Sequence, residues 1–217
     1  MSTENPVERP GAQEWVPEHG GVDDLRHAAE ACRGCELWKD ATQVVFSTGS
    51  AGVDLMLVGE QPGDREDRTG EPFVGPAGRM LDDALDAAEI DRGAVYLTNA
   101  VKHFRFELRG KRRIHEKPAT GQLVACRPWL EAEIAAVRPQ VIVAMGATAA
   151  RSVLGRPVKI GEVRGAEITA EEWPDIRSLV TVHPSSLLRL REDADREAAF
   201  RAFVADLRAA AELVDRR

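Results

Sequence analysis

Four short apolar runs, each followed by polar or glycine-rich sequence, punctuate this chain. Residues 54–58 (D-L-M-L-V), 94–98 (A-V-Y-L-T), 140–145 (Q-V-I-V-A-M) and 178–182 (S-L-V-T-V) read as buried strands. Between them the period changes. Residues 78–88 set Met80, Leu81, Ala84, Leu85 and Ala88 on one helical face, and residues 123–137, 147–154 and 192–214 carry helical spacing as well. A short helix is expected over residues 22–31, with Asp23 and Asp24 near its start. Residues 102–121 read as a basic loop, and residues 155–176 as a hairpin or irregular excursion.

Strands alternating with helices predict a single three-layer α/β/α domain over residues 22–217, with a central, mainly parallel four-stranded sheet. Residues 1–21, polar and bearing Pro and Gly, are expected to form a flexible N-terminal lead. Parallel sheets bind ligands beyond the carboxyl ends of their strands. The polar signatures gather there: G-E-Q-P-G (59–63) after the first strand, Asn99 after the second, and H-P-S-S (183–186) after the fourth. Three loops converging on one crevice predict an active site.

Composition narrows the setting. With 217 residues, 43% hydrophobic and 30% charged, the chain suits one soluble globular core. No apolar run approaches the ~20 residues of a membrane span. The first 21 residues hold no apolar signal core, so no membrane partner is expected and the default address is cytoplasmic. A monomer is the default expectation. The net charge of −7 argues against general coating of nucleic acid, yet residues 102–117 concentrate seven Lys or Arg against two Glu. An acidic body with one basic segment can grip a polyanion locally, or the segment can be a solvated loop. There are three cysteines, an odd number, and without an export signal a disulfide framework explains them poorly. Cys32 and Cys35 form a C-x-x-C that can be redox-active, metal-binding or accidental; Cys126 stands alone.

The crevice segments carry specific chemistry. Residues 59–78 hold five Gly and three Pro, a loop able to aim backbone N–H groups at a planar polar ligand. Its one aromatic, Phe73, either stacks on that ligand or packs in the core. No G-K-[ST] follows, so this is not a P-loop. In T-N-A-V-K (98–102), the Asn99 amide offers an acceptor and donors that match the O4 and N3–H edge of uracil and mismatch the 4-amino group of cytosine; it can equally cap a strand. In H-P-S-S-L-L-R (183–189), His183 can donate to a carbonyl oxygen and the serines suit phosphates. Leu187, Leu188 and Arg189 could fill the gap left by an extruded base, or the leucines could pack as part of a helix.

Together, G-E-Q-P-G with G-E-P-F-V-G-P-A-G, then T-N-A-V-K, then H-P-S-S-L-L-R resemble the uracil-DNA glycosylase superfamily, most closely its family 4, the iron–sulfur branch. The resemblance runs from about Cys32 to the end of the chain. It implies that fold and a uracil-containing DNA substrate, preferably single-stranded because no base pair must then be broken. It implies a base pocket of Gly59, Asp64, Phe73, Asn99 and His183, with Lys102, Arg112, Arg113, Ser185, Ser186, Leu187 and Arg189 on DNA. It also implies a [4Fe–4S] cluster on Cys32, Cys35, His103 and Cys126, an imidazole standing where family 4 has its remaining thiolate.

The segment K-R-R-I-H (111–115) resembles the UdgX branch, whose members become joined to DNA through a loop histidine, here His115. That resemblance implies a single-turnover trap. Uracil leaves, and His115 captures the deoxyribose C1′ ahead of water through proximity. Glu60 and Gln61 complete the expected catalytic set, Glu60 either orienting water, as in water-using relatives, or fixing the imidazole tautomer, and Gln61 supporting the loop or the base. The alternative is a turnover family 4-type glycosylase that leaves an abasic site. A non-catalytic DNA-binding module with a redox-sensing cluster is a third reading.

Overall fold

Each of the four apolar runs is a strand buried on both faces, and each divides its side chains between two cores. The computed structural model describes residues 9–215. In chain order the elements are α1 (Val22–Ala29), β1 (Ser47–Thr48), β2 (Leu55–Gly59), α2 (Asp64–Thr69), α3 (Pro76–Ala87), β3 (Val95–Asn99), β4 (Phe106–Arg109) and β5 (Arg112–His115). There follow α4 (Thr120–Val137), β6 (Val141–Met145), α5 (Ala147–Leu154), α6 (Ile160–Val163), β7 (Glu167–Ala170), β8 (Trp173–Thr181), α7 (Pro184–Leu187) and α8 (Asp193–Asp215). Leu55, Leu57, Leu97, Val143 and Leu179 point toward α3 and α8, where they meet Leu81, Leu85, Phe203 and Leu207. Met56, Val58, Tyr96, Ile142 and Val180 point the other way, onto Trp129 and Leu130 of α4 and Val153 of α5. This period of two is what a sheet covered on both faces requires.

The sheet has six strands in the order β1-β3-β2-β6-β8-β7. The four expected strands are its parallel centre, β3-β2-β6-β8. The two additional strands are antiparallel edges. β1 adds Ser47 and Thr48 to β3, and β7 folds back on β8 as the hairpin foreseen within residues 155–176. The chain leaves β2 for β3 on one side and later returns to β6 on the other. The reversal of strand order therefore lies at the carboxyl end of β2, where a crevice must open.

The basic segment is not a loop throughout. Residues 106–115 form a two-stranded antiparallel arm, β4–β5, with Phe106 opposite His115 and Arg109 opposite Arg112. Of the expected flexible lead, residues 1–8 lie outside the described residues. Residues 9–21 are docked: the Gly11 N–H donates to Gly34 O, the Ala12 N–H donates to Ala125 O, and Arg9 pairs with Glu36. Among the described residues no helix is long and apolar enough to cross a membrane.

Directly beneath the end of β3 lies a polar network with no access to water. Lys102 and Glu133 are 1% and 0% exposed and form an ion pair. The Lys102 ammonium also donates to Thr98 Oγ1 at 2.6 Å and to the Asn99 carbonyl at 2.9 Å, while Glu133 accepts from Thr98 and Tyr96. Lys102 was expected on DNA, but it is buried and its ammonium holds the backbone of Asn99 from below. Replacing Glu133 by Leu leaves that ammonium buried and unpaired, so unfolding in urea should show a loss of about 3–5 kcal/mol. An unchanged midpoint would mean that the pair does not hold this end of the sheet.

Candidate active site

The crevice at the strand ends is a cleft of about 850 Å³, walled by the loops after β2, β3, β6 and β8 and by the end of β5. Its inner wall is a flat slot. Asn99 ends β3, and its Oδ1 lies only 2.3 Å from where a side chain on Gly59 would begin, with Phe73 Cζ at 2.7 Å from the same point. Only a glycine leaves the amide and the ring where they are. Phe73 sits at φ 59, a conformation that costs a non-glycine residue on the order of 1–3 kcal/mol. The carbonyl of Phe73 comes within 1.6 Å of where a Cβ on Gly78 would stand, so the turn into α3 also requires a glycine. The Glu66 carboxylate accepts the N–H groups of Gly63 and Gly75 at 3.2 and 2.8 Å and closes this loop on itself.

Opposite Phe73 stands His183, ring centroids 6.4 Å apart and planes at 27°. The Ser185 backbone N–H donates to His183 Nδ1 at 3.2 Å. Nδ1 must therefore carry the lone pair, and in the neutral ring the proton lies on Nε2 as a donor. Burial, with the charges of His115 and Arg189 adding to it, holds the His183 pKa down at about 4, so that neutral form persists at physiological pH. The slot thus presents an amide with donor and acceptor, an imidazole N–H and an aromatic face. That set suits a planar heterocycle with adjacent C=O and N–H groups.

At the mouth, Glu60 and His115 face each other, His115 Nε2 lying 3.5 Å from Glu60 Oε1. The His115 side chain is 49% exposed. It reaches the cleft because the β4–β5 arm is clamped at both feet. The buried Gln61 amide donates to the carbonyls of Arg105 at 3.2 Å and Glu116 at 2.8 Å, and accepts the Arg105 N–H at 3.0 Å. Arg113 lies over Phe106 and pairs with Asp64 and the fully buried Asp67, its head group donating to Asp67 at 2.6 Å.

Several expected roles change with this geometry. Gln61 is saturated by backbone and supports the arm. Arg113 is an anchor, with both carboxylate partners taken, and is not free for phosphate. Asp64 lines the cleft, but its carboxylate is held by Arg68 and Arg113. Leu187 is 1% exposed inside the α3–α8 core and cannot enter DNA; its neighbour Leu188, 42% exposed, lines the cleft. The Ser185 and Ser186 hydroxyls are engaged with His183, at Nδ1 and at the carbonyl. Arg112 and Arg189 are exposed. The cleft residues outside the expected set include Lys117, two positions after His115, and Thr148 in the first turn of α5, whose hydroxyl donates to Glu60 Oε2. Thr148 follows a glycine at the end of a central strand, the one sequence cue that it faces the crevice.

A second set of soft donors lies behind the sheet end. Cys32, Cys35 and Cys126 are buried free thiols in one core. Cys126 Sγ accepts the Lys102 backbone N–H, and Cys32 Sγ the Trp129 indole N–H, both at 3.3 Å. Burial pushes the Cys35 thiol up to about 11 and Cys126 up to about 12, with the neighbouring cysteines reinforcing both. His103 is equally buried, and burial holds its ring neutral, down at about 4. Among the described residues no three metal-ligating side chains converge on a single ion. Buried thiols with N–H donors on the sulfurs of Cys32 and Cys126 are the donor type an iron–sulfur cluster takes.

The family model for the uracil DNA glycosylase superfamily matches residues 46–208. A type-4 uracil-DNA glycosylase of Thermotoga maritima is 36% identical over 174 residues, covering 79% of this chain and 85% of that protein. One from Archaeoglobus fulgidus is 30% identical over 184 residues, covering 81% and 89%. A type-5 uracil-DNA glycosylase of Pyrobaculum aerophilum is 28% identical over 183 residues, covering 75% and 74%.

The pH response of the slot follows from His183. Its pKa is lower folded than the ordinary 6.5, so the unfolded chain binds more protons here, and stability falls as pH drops from about 6.5 toward 4. Urea unfolding of His183→Gln across that range should show a shallower dependence than the parent protein. An equal slope would mean that His183 is not held neutral by burial.

Proposed function

The chain belongs to the uracil DNA glycosylase superfamily, and we propose from that premise that it cleaves the N-glycosidic bond of uracil in DNA. The observation that carries the reading is the slot, with Asn99 against Gly59 and Phe73 facing His183. A uracil turned out of the strand stacks on Phe73. Its N3–H and O4 meet the Asn99 amide, and the His183 Nε2–H donates to its remaining carbonyl. As the bond breaks, the electron pair of C1′–N1 leaves with uracil. Donors already aimed at the developing anion stabilise it without reorganisation. The Glu60 carboxylate at the mouth stabilises the cationic sugar. Single-stranded DNA is the favoured form, since no pair has to be opened, and the exposed Arg112 and Arg189 are the side chains suited to its phosphates.

The position of His115 favours a finer reading of the second step. Its imidazole lies at the mouth, against Glu60. The lone pair of one ring nitrogen adds to C1′, and Glu60 takes the proton released by the ring. That proton ends on uracil, so charge balances. The product is an N-glycosidic bond from His115 to deoxyribose, formed because a held imidazole outcompetes water. Each molecule then acts once, as in the UdgX branch. If water wins instead, the chain turns over as a family 4-type glycosylase.

Cys32, Cys35, Cys126 and His103 are proposed to hold a [4Fe–4S] cluster. Bound there, it supplies a cross-link between the N-terminal segment and the segment after β3, apart from the reacting carbon. Purified protein should contain about four iron atoms per chain and absorb broadly in the visible. Cys126→Ser should lose both. Iron-free, folded wild-type protein would refute the assignment.

Incubation with a single-stranded oligonucleotide carrying one uracil should release free uracil, and the cytosine counterpart should release nothing. Absence of release rejects the glycosylase reading. On a denaturing gel the oligonucleotide should stay attached to the protein, and His115→Ser should abolish the attached band. Free abasic DNA with multiple turnovers from the wild type would instead establish the water-using reaction.

A further inference from the structure

We propose that Thr148 is a positioning residue for Glu60, fixing which carboxylate oxygen faces the reacting sugar. The inference rests on the glycosylase reading and deepens it. Thr148 is 3% exposed and lies in the first turn of α5, just after Gly146, whose φ of 92° turns the chain from β6 into the helix. A threonine inside a helix commonly bonds back to a carbonyl three or four residues earlier. In the first turn those residues are still strand and turn, so the hydroxyl is free to reach across the crevice. Its single proton goes to Glu60 Oε2, a contact spanning 88 positions of sequence.

The consequence falls on the other oxygen. The terminal torsion of a glutamate is soft and nearly two-fold, so an unanchored carboxylate samples many orientations. Anchoring Oε2 on the end of a packed helix turns Oε1 toward His115, at 3.5 Å from Nε2. Among the described residues, Thr148 and His115 are the two polar contacts of this carboxylate. Thr148 is thus the rigid side of the arrangement, because His115 rides on an arm that is half exposed at its end. Whether Oε1 serves an imidazole or a water, its aim is set by a residue whose one hydroxyl proton is spent on the carboxylate.

The test is single-turnover uracil release from a single-stranded uracil oligonucleotide, with protein in excess and varied. Thr148→Val and Thr148→Ala should each slow the step about tenfold at saturation, as for loss of one hydrogen bond to a charged group. The half-saturating protein concentration should not move. Thr148→Ser, which restores the hydroxyl, should recover most of the rate. In a Glu60→Ala background, Thr148→Val should cost nothing further, because the group it acts through is gone. An equal loss in both backgrounds, failure of serine to rescue, or a wild-type rate in both Val and Ala variants overturns the inference. If the wild type releases no uracil, the glycosylase reading falls and takes the inference with it; release by the wild type with an indifferent Thr148 rejects the inference alone.

Discussion

A buried glutamine amide and one guanidinium hold a two-stranded arm across the open end of a parallel sheet, and the site depends on that restraint. Gln61 ties both feet of the arm to the loop after β2. Arg113 ties its middle to Asp64 and Asp67 of α2. A free two-stranded hairpin is marginally stable in water, so without these contacts His115 would have no fixed address. With them it stands opposite Glu60, at the mouth of the cleft. Both restraints start from residues 61–67, the segment that also leads into the Phe73 turn. Arm and slot are therefore positioned by one stretch of chain.

The rest of the architecture makes that stretch rigid. Glu66 closes the loop with two backbone N–H groups, and Gly78 lets the carbonyl of Phe73 lie against α3. On the other side, Lys102 and Glu133 brace the Asn99 carbonyl from within the core. A buried ion pair contributes little net stability, because desolvation offsets its attraction. Its structural consequence here is local. The ammonium fixes the end of β3, and its own backbone N–H reaches Cys126. The slot and the thiol set are thus linked through Lys102.

Much of this was legible in the sequence wherever one physical signal dominated. Continuous apolar runs marked the four central strands to within about a residue, apart from the longer β8, because burial on both faces leaves little freedom of composition. Glycine and proline marked the loop 59–78, and strand order placed Asn99, Glu60 and His183 at one end. What was not legible depended on partners distant in sequence. Lys102 reads as a cation for DNA until Glu133 is found beneath it, 31 positions away. Gln61 reads as a catalytic amide until its backbone partners 44 and 55 positions on are seen. Leu187 and Leu188 differ only in helical phase, which a four-residue helix is too short to reveal. The β4–β5 arm is short and sets its exposed Leu108 and Ile114 among charged residues, so charge concealed its strand pairing. The edge strand β1, two residues long, left no periodic trace.

On the proposed reading the arm delivers His115 to the sugar of a uracil that lies on Phe73 and meets Asn99 and the His183 Nε2–H with its edge. The most direct measurement is a crystal structure with a single-stranded oligonucleotide carrying a non-cleavable uracil nucleotide. The base is expected in the slot, its edge on Asn99, its C1′ facing Glu60 and His115, and the arm still held by Gln61 and Arg113. A base bound outside the slot, or an arm released so that His115 points to solvent, would contradict it.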